Sequence, residues 1–84
     1  MQRKTISIKG MDGLHARPAA EFVQLCKKIK SDVKLQKGEV SVSGKSIIGI
    51  MSLGISRGEE VTIVVEGDDE MDAIVLIEEL LDKE

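Results

Sequence analysis

Apolar residues along this chain follow two periods, and the two periods predict different elements. They alternate with polar residues, as in a half-buried strand, in four short segments: 5–8, 33–35, 40–42 and 60–66. They recur every three to four residues, as on an amphipathic helix, from residue 16 to about 28 and from 69 to 82. A shorter helix is predicted from 47 to about 53, and Lys37-Gly38 marks the turn of a hairpin.

This order, β-α-β-β-α-β-α, predicts a single α+β domain over residues 1–84. Each strand has one strongly apolar face and each long helix one apolar stripe, so the economical arrangement is a two-layer open-faced β-sandwich. We expect a four-stranded antiparallel sheet with the helices on one face. The other face is predicted to meet water through Thr5, Ser7, Lys34, Gln36, Ser41, Ser43 and Thr62.

Composition excludes several classes of protein. Among the 84 residues no apolar run approaches the ~18 residues of a membrane span, and no signal peptide is visible, so we expect a soluble cytoplasmic domain without membrane insertion. Cys26 is the only cysteine, which leaves no internal disulfide and no zinc site, and it is predicted to pack in the core. Phe22 is the only aromatic residue, so direct nucleic acid binding by base stacking is not expected.

Charge is distributed unevenly along the chain, although the net charge is only −3. Residues 1–58 contain eleven basic and four acidic residues, whereas residues 59–84 contain one basic and eleven acidic residues. If the fold keeps the two segments apart, one face is basic and attracts acidic partners. A solvated surface whose charges segregate by chance explains the pattern equally well.

His15, the only histidine, stands just before the first long helix, where Pro18 indicates a first turn. Free backbone N–H groups and the positive end of the helix dipole make such a position suitable for an anion. Arg17 adds a forked donor for phosphate oxygens. Because a positive environment disfavours imidazolium, His15 is expected to be neutral and nucleophilic, able to accept a phosphoryl group.

The plainer interpretation is that His15 only caps the helix or lies on the surface, with Arg17 a solvated charge. The sequence shows no catalytic carboxylate pair, no phosphate-binding loop of the nucleotide-hydrolase type and no metal cluster. No metal or cofactor is therefore predicted. If His15 takes part in chemistry, a partner has to supply the rest of the active site.

Ser46 occupies the N-cap position of the short helix, and capping alone accounts for it as well as any regulatory role does. The helix that follows contains Ile47, Ile48, Ile50 and Met51, which cannot all face one core from two turns. Some of them should be exposed and mark a partner surface. Alternatively, the ends of the long helices cover them.

The two motifs together resemble the HPr family, the phosphocarriers of the bacterial phosphoenolpyruvate-dependent sugar phosphotransferase system. The segment Gly13-Leu14-His15-Ala16-Arg17-Pro18-Ala19 is similar to its active-site motif, and residues 45–54 are similar to its regulatory-serine motif. The likeness covers nearly the whole chain. It implies an open-faced sandwich with strand order 1-4-2-3.

The resemblance also implies a role for each matching residue. His15 would be phosphorylated on Nδ1 by Enzyme I and discharged to IIA domains of sugar permeases, with Ala16 and Arg17 contacting the phosphoryl group. Ser46 would be the target of HPr kinase/phosphorylase, and the product would bind a catabolite-control transcription factor. The partner surface would comprise Ala20, Ile47, Ile48 and Met51. Glu21 departs from the family pattern and adds a negative charge near this surface.

Other functions are compatible with part of the sequence. A catabolite-repression paralogue lacks the histidine and is disfavoured by His15, whereas a nitrogen-related paralogue keeps it. A binding module for acidic proteins would use the basic face without needing His15. A small hydrolase would use Arg17 as an anion clamp, but no base or nucleophile-positioning partner is evident. The motifs favour a phosphoryl carrier that is a substrate of enzymes and not itself an enzyme.

Overall fold

Seven elements follow one another in the order predicted from the sequence, and the α+β open-faced sandwich is confirmed. The computed structural model describes residues 1–8, 16–56 and 58–83, with the side chains of residues 16–18, 82 and 83 outside that description. The strands are β1 (Gln2–Ser7), β2 (Asp32–Lys37), β3 (Val40–Ser43) and β4 (Glu60–Glu66), and the helices are α1 (Ala16–Lys28), α2 (Ile47–Ser52) and α3 (Glu70–Lys83).

The four strands form one antiparallel sheet in the order β1-β4-β2-β3. β4 therefore lies between β1 and β2, although it is the last strand along the chain. Its residues Val61, Ile63 and Val65 are buried on the face that the helices cover. The opposite face presents the polar residues expected there, and Thr5 and Thr62 hydrogen-bond across it at 2.9 Å between their hydroxyl oxygens.

The helices cover the sheet side by side. α1 packs against both of the others, α3 lies over β1 and β4, and α2 lies beside β3. Phe22 and Cys26 of α1 are fully buried, as is Ile77 of α3, so the predicted stripes face the core and Cys26 packs there as expected. Burial raises the pKa of the Cys26 thiol to about 12, which leaves it protonated.

The first strand differs from the prediction. It begins at Gln2 instead of Thr5 and ends at Ser7, before Ile8. Gln2 and Lys4 lie opposite Val65 and Ile63, on the helix-covered face. Because β1 is an edge strand, these polar side chains reach the rim of the sheet, where Lys4 forms an ion pair with Glu78 of α3 at 2.8 Å. Because Gln2 and Lys4 are polar at core-facing positions, residues 2–4 lack the alternation of apolar and polar residues that would predict a strand.

A partly buried polar contact joins the segment after α1 to the beginning of α3. The Asp69 carboxylate accepts hydrogen bonds from the backbone N–H groups of Lys30 and Ser31 and from the Ser31 hydroxyl. The Ser31 hydrogen bond is the main reason why the pKa of Asp69 lies below its ordinary value. Gly67 fits against Ser31, since a Cβ on Gly67 would lie 2.7 Å from the Ser31 Cα. α3 accordingly begins at Glu70, one residue later than predicted.

Among the described side chains, three ion pairs connect the basic part of the chain to the acidic part. Besides Lys4 and Glu78, the amino group of Met1 contacts Glu70 at 2.5 Å and Lys37 contacts Glu59 at 2.8 Å. The two charged segments are thus not kept fully apart, because β4 inserts between β1 and β2. Among the described side chains, basic residues of the first segment therefore lie next to acidic residues of the second.

Candidate functional site

The first turn of α1 provides the part of the predicted phosphate site that the structure describes. His15 lies outside the described residues, and so does the side chain of Arg17. The helix begins at Ala16, immediately after His15, and its first turn contains no acidic residue. The first N–H groups of a helix have no acceptor within it. The backbone here therefore offers donors for an anion directly after His15, as the sequence predicts.

Ser46 is the N-cap of α2, as predicted. Its hydroxyl oxygen accepts a hydrogen bond from the Gly49 N–H at 3.1 Å, and its carbonyl accepts one from the Ile50 N–H at 3.0 Å. The backbone of Ser46 is extended, with φ −113° and ψ 110°, as is usual for an N-cap. Ser46 is exposed to solvent.

The four residues of the predicted partner surface lie on two helices that pack against each other. Ala20 is half-buried on α1, whereas Ile47, Ile48 and Met51 are exposed on α2. Ile48 is 79% exposed, so the ends of the long helices do not cover it. Of the four apolar residues at issue in α2, only Ile50 is buried, and it anchors the helix on the core. The expectation that some would be exposed is confirmed.

A shallow hollow of about 350 Å³ lies between the end of α2 and the β2–β3 hairpin. Its lining is mostly apolar and includes Val40, which is exposed, and Leu53. Sequence reasoning missed it. Val40 alternates like a core residue, but β3 is an edge strand and Val40 is its first residue, beyond the helices that cover the sheet. Only the three-dimensional course of the edge shows that this side chain is exposed.

Lys37 holds the end of α2 in place. Its ammonium group donates hydrogen bonds to the carbonyl oxygens of Leu53 at 3.3 Å and Gly54 at 3.1 Å, and it pairs with the Glu59 carboxylate. The hydrogen bond from Lys37 is also the main reason why the pKa of Glu59 is lowered. Lys37 thereby connects the hairpin to the end of α2 and to the segment that enters β4.

No group of three or more His, Cys, Asp or Glu residues within residues 1–8, 16–56 and 58–83 is arranged to hold a metal ion. None of the helices in these ranges is long and apolar enough to cross a membrane. What the described residues do provide is a helix that begins directly after a histidine in the chain and packs against a short helix with exposed apolar residues and a capping serine.

Comparison with known proteins connects these features to a family. The family model described as "PTS HPr component phosphorylation site" matches residues 2–83. HPr-C-His from Thermoanaerobacter tengcongensis is 48% identical with a TM-score of 0.96, covering 99% of this chain and 93% of that one. Phosphocarrier protein HPr from Bacillus anthracis is 38% identical with a TM-score of 0.92, covering 95% of each chain.

A third similar structure is Crh, the catabolite repression protein of Bacillus subtilis, which is a domain-swapped dimer in its crystal. It is 40% identical with a TM-score of 0.80, covering 99% of this chain and 95% of that one. The strand order of the sheet, 1-4-2-3, agrees with the order that the resemblance implies.

Proposed function

Since this chain belongs to the HPr family, phosphocarriers of the phosphotransferase system that are not enzymes, we propose that His15 is its phosphoryl acceptor. In this proposal Nδ1 of His15 attacks the phosphorus held by phosphorylated Enzyme I, a new N–P bond forms, and the bond to Enzyme I breaks. In a second transfer, an acceptor on a IIA domain of a sugar permease attacks the same phosphorus, and the N–P bond to His15 breaks.

The observation that carries the proposal is that α1 begins at Ala16, directly after His15. We assign phosphate contact to the backbone N–H groups of Ala16 and Arg17 and to the Arg17 guanidinium. A helix terminus stabilises an anion by ~0.3–1 kcal/mol at an exposed site. Such modest stabilisation suits a carrier, which has to release the phosphoryl group as readily as it accepts it.

Docking is proposed to use the surface made by Ala20, Ile47, Ile48 and Met51. Enzyme I and the IIA domains have to reach the same histidine, so they must bind overlapping parts of this chain in turn. An exposed apolar surface on a short helix suits such exchange, because Ile47 and Ile48 offer apolar area and the flexible side chain of Met51 adapts to differently shaped partners. The exposure of Ile48 supports this assignment.

Ser46 is proposed as a regulatory phosphorylation site for an HPr kinase/phosphorylase, with the product recognised by a catabolite-control transcription factor. The exposed hydroxyl and its position next to Ile47 support this role. A phosphate on Ser46 adds ~1.5–2 negative charges at the edge of the docking surface, which alters how charged partners bind there. Residues 1–84 would act as one cytoplasmic domain.

The decisive experiment is intact-protein mass spectrometry after incubation with phosphoenolpyruvate, magnesium and Enzyme I. We expect one added phosphate that is lost in acid and stable in alkali, as a phosphoramidate is. The His15→Ala variant should gain none, and Ser46→Ala should gain one like the wild type. Failure of the wild type to gain mass, with an Enzyme I that phosphorylates another HPr, would contradict the proposal. A binding module that does not depend on His15 would then be the better interpretation.

A further inference from the structure

The outer side of α3 exposes large apolar side chains even though its inner side is fully used by the core. Ala73, Ile74, Ile77 and Leu81 are buried against the sheet and α1. On the outer side Met71 is 70% exposed, Val75 51% and Leu76 47%. α3 is thus apolar on both sides, whereas a helix that only covers a sheet presents polar residues to water.

These three residues are close together. Met71 and Val75 are one turn apart and lie on the same side of the helix, and Leu76 follows Val75. Asp72 and Glu79, both exposed, lie among and after them on the same side. We call this set of five residues, Met71, Asp72, Val75, Leu76 and Glu79, the α3 surface. An exposed apolar patch bordered by charges is typical of a protein interaction site.

The acidic side chains of α3 that the structure describes divide into two groups. Glu70 pairs with the Met1 amino group and Glu78 pairs with Lys4, so the carboxylates nearest the sheet are neutralised within the molecule. Asp72 and Glu79 take part in none of the ion pairs formed among the described side chains, which exclude those of residues 16–18, 82 and 83. Their charges are available to a partner of opposite charge. Such a partner meets the carboxylates and the apolar side chains together.

The α3 surface is separate from the proposed docking surface. α3 lies over β1 and β4, at one edge of the sheet, and α2 lies beside β3, at the other edge. α1 lies between them and packs against both. A partner on the outer side of α3 therefore does not need to displace one on α2.

We infer that the α3 surface binds a basic amphipathic helix of another protein, with leucine-like side chains on Met71, Val75 and Leu76 and with lysine or arginine beside Asp72 and Glu79. The charge selects this class of partner. Anionic lipid headgroups and nucleic acid phosphates are repelled by unpaired carboxylates. A helix with apolar residues at i and i+4 matches the spacing of Met71 and Val75.

The test uses a synthetic 14-residue peptide of lysine and leucine, with the leucines on one helical side, titrated into ¹⁵N-labelled protein at low salt. We expect saturable chemical-shift changes concentrated in residues 68–80. A peptide of the same composition, with its leucines distributed around the helix, should bind at least about threefold more weakly. If the two peptides bind equally well, charge alone accounts for the interaction, and the inference is overturned.

Variants of the protein distinguish the two components of the α3 surface. The double variant Asp72→Asn/Glu79→Gln should weaken binding of the amphipathic peptide about three- to tenfold. The control Glu39→Gln, which removes an exposed carboxylate in the hairpin turn, should leave this binding unchanged. Met71→Gln/Val75→Thr should remove the preference for the amphipathic peptide. Binding that maps to α2, or concentration-dependent self-association that Met71→Gln abolishes, would contradict a heterologous helix as the occupant.

Phosphate transfer to the α3 variants tests the proposed function independently of peptide binding at the α3 surface. All the α3 variants should accept phosphate from Enzyme I at the wild-type rate, because the α3 surface lies at the far edge of the sheet from α2. If transfer slows in Met71→Gln/Val75→Thr while the circular dichroism spectrum is unchanged, the α3 surface is part of Enzyme I docking and not a separate site.

Discussion

Substitution of Ser46 separates its structural role from its proposed regulatory one. Ser46→Ala removes the hydrogen bond that the hydroxyl accepts from Gly49 N–H at 3.1 Å and keeps the one that the carbonyl accepts from Ile50 N–H. Loss of an N-cap side chain typically costs ~1 kcal/mol. With an unfolding entropy of ~2.1 cal/mol/K per residue over 84 residues, this corresponds to a decrease in Tm of ~5–6 °C.

Ser46→Asp should behave differently, because aspartate caps a helix about as well as serine does. Its Tm should stay within ~2 °C of the wild type. It places a negative charge beside Ile47, however, at the edge of the proposed docking surface. A like charge on the partner at ~4 Å in water costs ~1 kcal/mol, or about fivefold in the rate of transfer from Enzyme I. This penalty should diminish at 1 M salt, where the Debye length is ~3 Å.

The assays are thermal denaturation followed by circular dichroism and rapid-quench measurement of His15 phosphorylation at low and high salt. Ser46→Ala should be less stable but transfer normally, and Ser46→Asp should be stable but slow. If both variants lose the same stability, the capping argument is wrong. If both transfer at the same rate at low salt, a charge at Ser46 does not affect docking, and its regulatory role would need another mechanism.

Three further predictions concern the fold. Gly67→Ala should lower the free energy of unfolding, measured by urea denaturation, by ~2–4 kcal/mol, because the new Cβ would lie 2.7 Å from the Ser31 Cα. The control Gly38→Ala, at a position with positive φ but open space, should lower it by ~1 kcal/mol. Lys37→Met should raise the pKa of Glu59 toward its ordinary value in an NMR titration. A carboxyl whose pKa is lowered in the folded state stabilises the protein above its unfolded-state pKa, and this stabilisation is lost as the pH falls. The variant should therefore lose less stability than the wild type when the pH falls below ~4.5. Cys26 should react with a disulfide reagent only as fast as the protein unfolds, because its buried thiol has a pKa of about 12; rapid reaction of the native protein would contradict its burial.

Most of the fold can be predicted from the sequence because burial is one-sided. A sheet covered on one face and helices with one apolar stripe leave periodic patterns, and these located all seven elements in order. The prediction is weakest at β1, where Gln2 and Lys4 hold core-facing positions at the rim of the sheet. It also misses contacts between distant residues, such as the one between Ser31 and Asp69.

The parts of the candidate site that depend only on neighbouring residues in the chain could be predicted from the sequence. Ser46 as an N-cap and the start of α1 at Ala16 follow from local rules and are confirmed. The exposure of Val40 depends on which element covers the edge of the sheet, and no local pattern records that. The helical period places Met71, Val75 and Leu76 away from the buried stripe of α3, but only the assembled structure shows that these side chains are exposed.

The place of β4 in the sheet has a consequence for how this chain is made. Strand β1 leaves the ribosome before the other three strands, but within the described residues it pairs only with β4, whose residues 60–66 come some sixty residues later. Until β4 has been synthesised, only the β2–β3 hairpin of the sheet can form, and residues 2–7 have to wait unpaired. The order of synthesis thus opposes the order of assembly, and we expect ribosome-bound chains that end before Glu60 to lack a protease-resistant sheet.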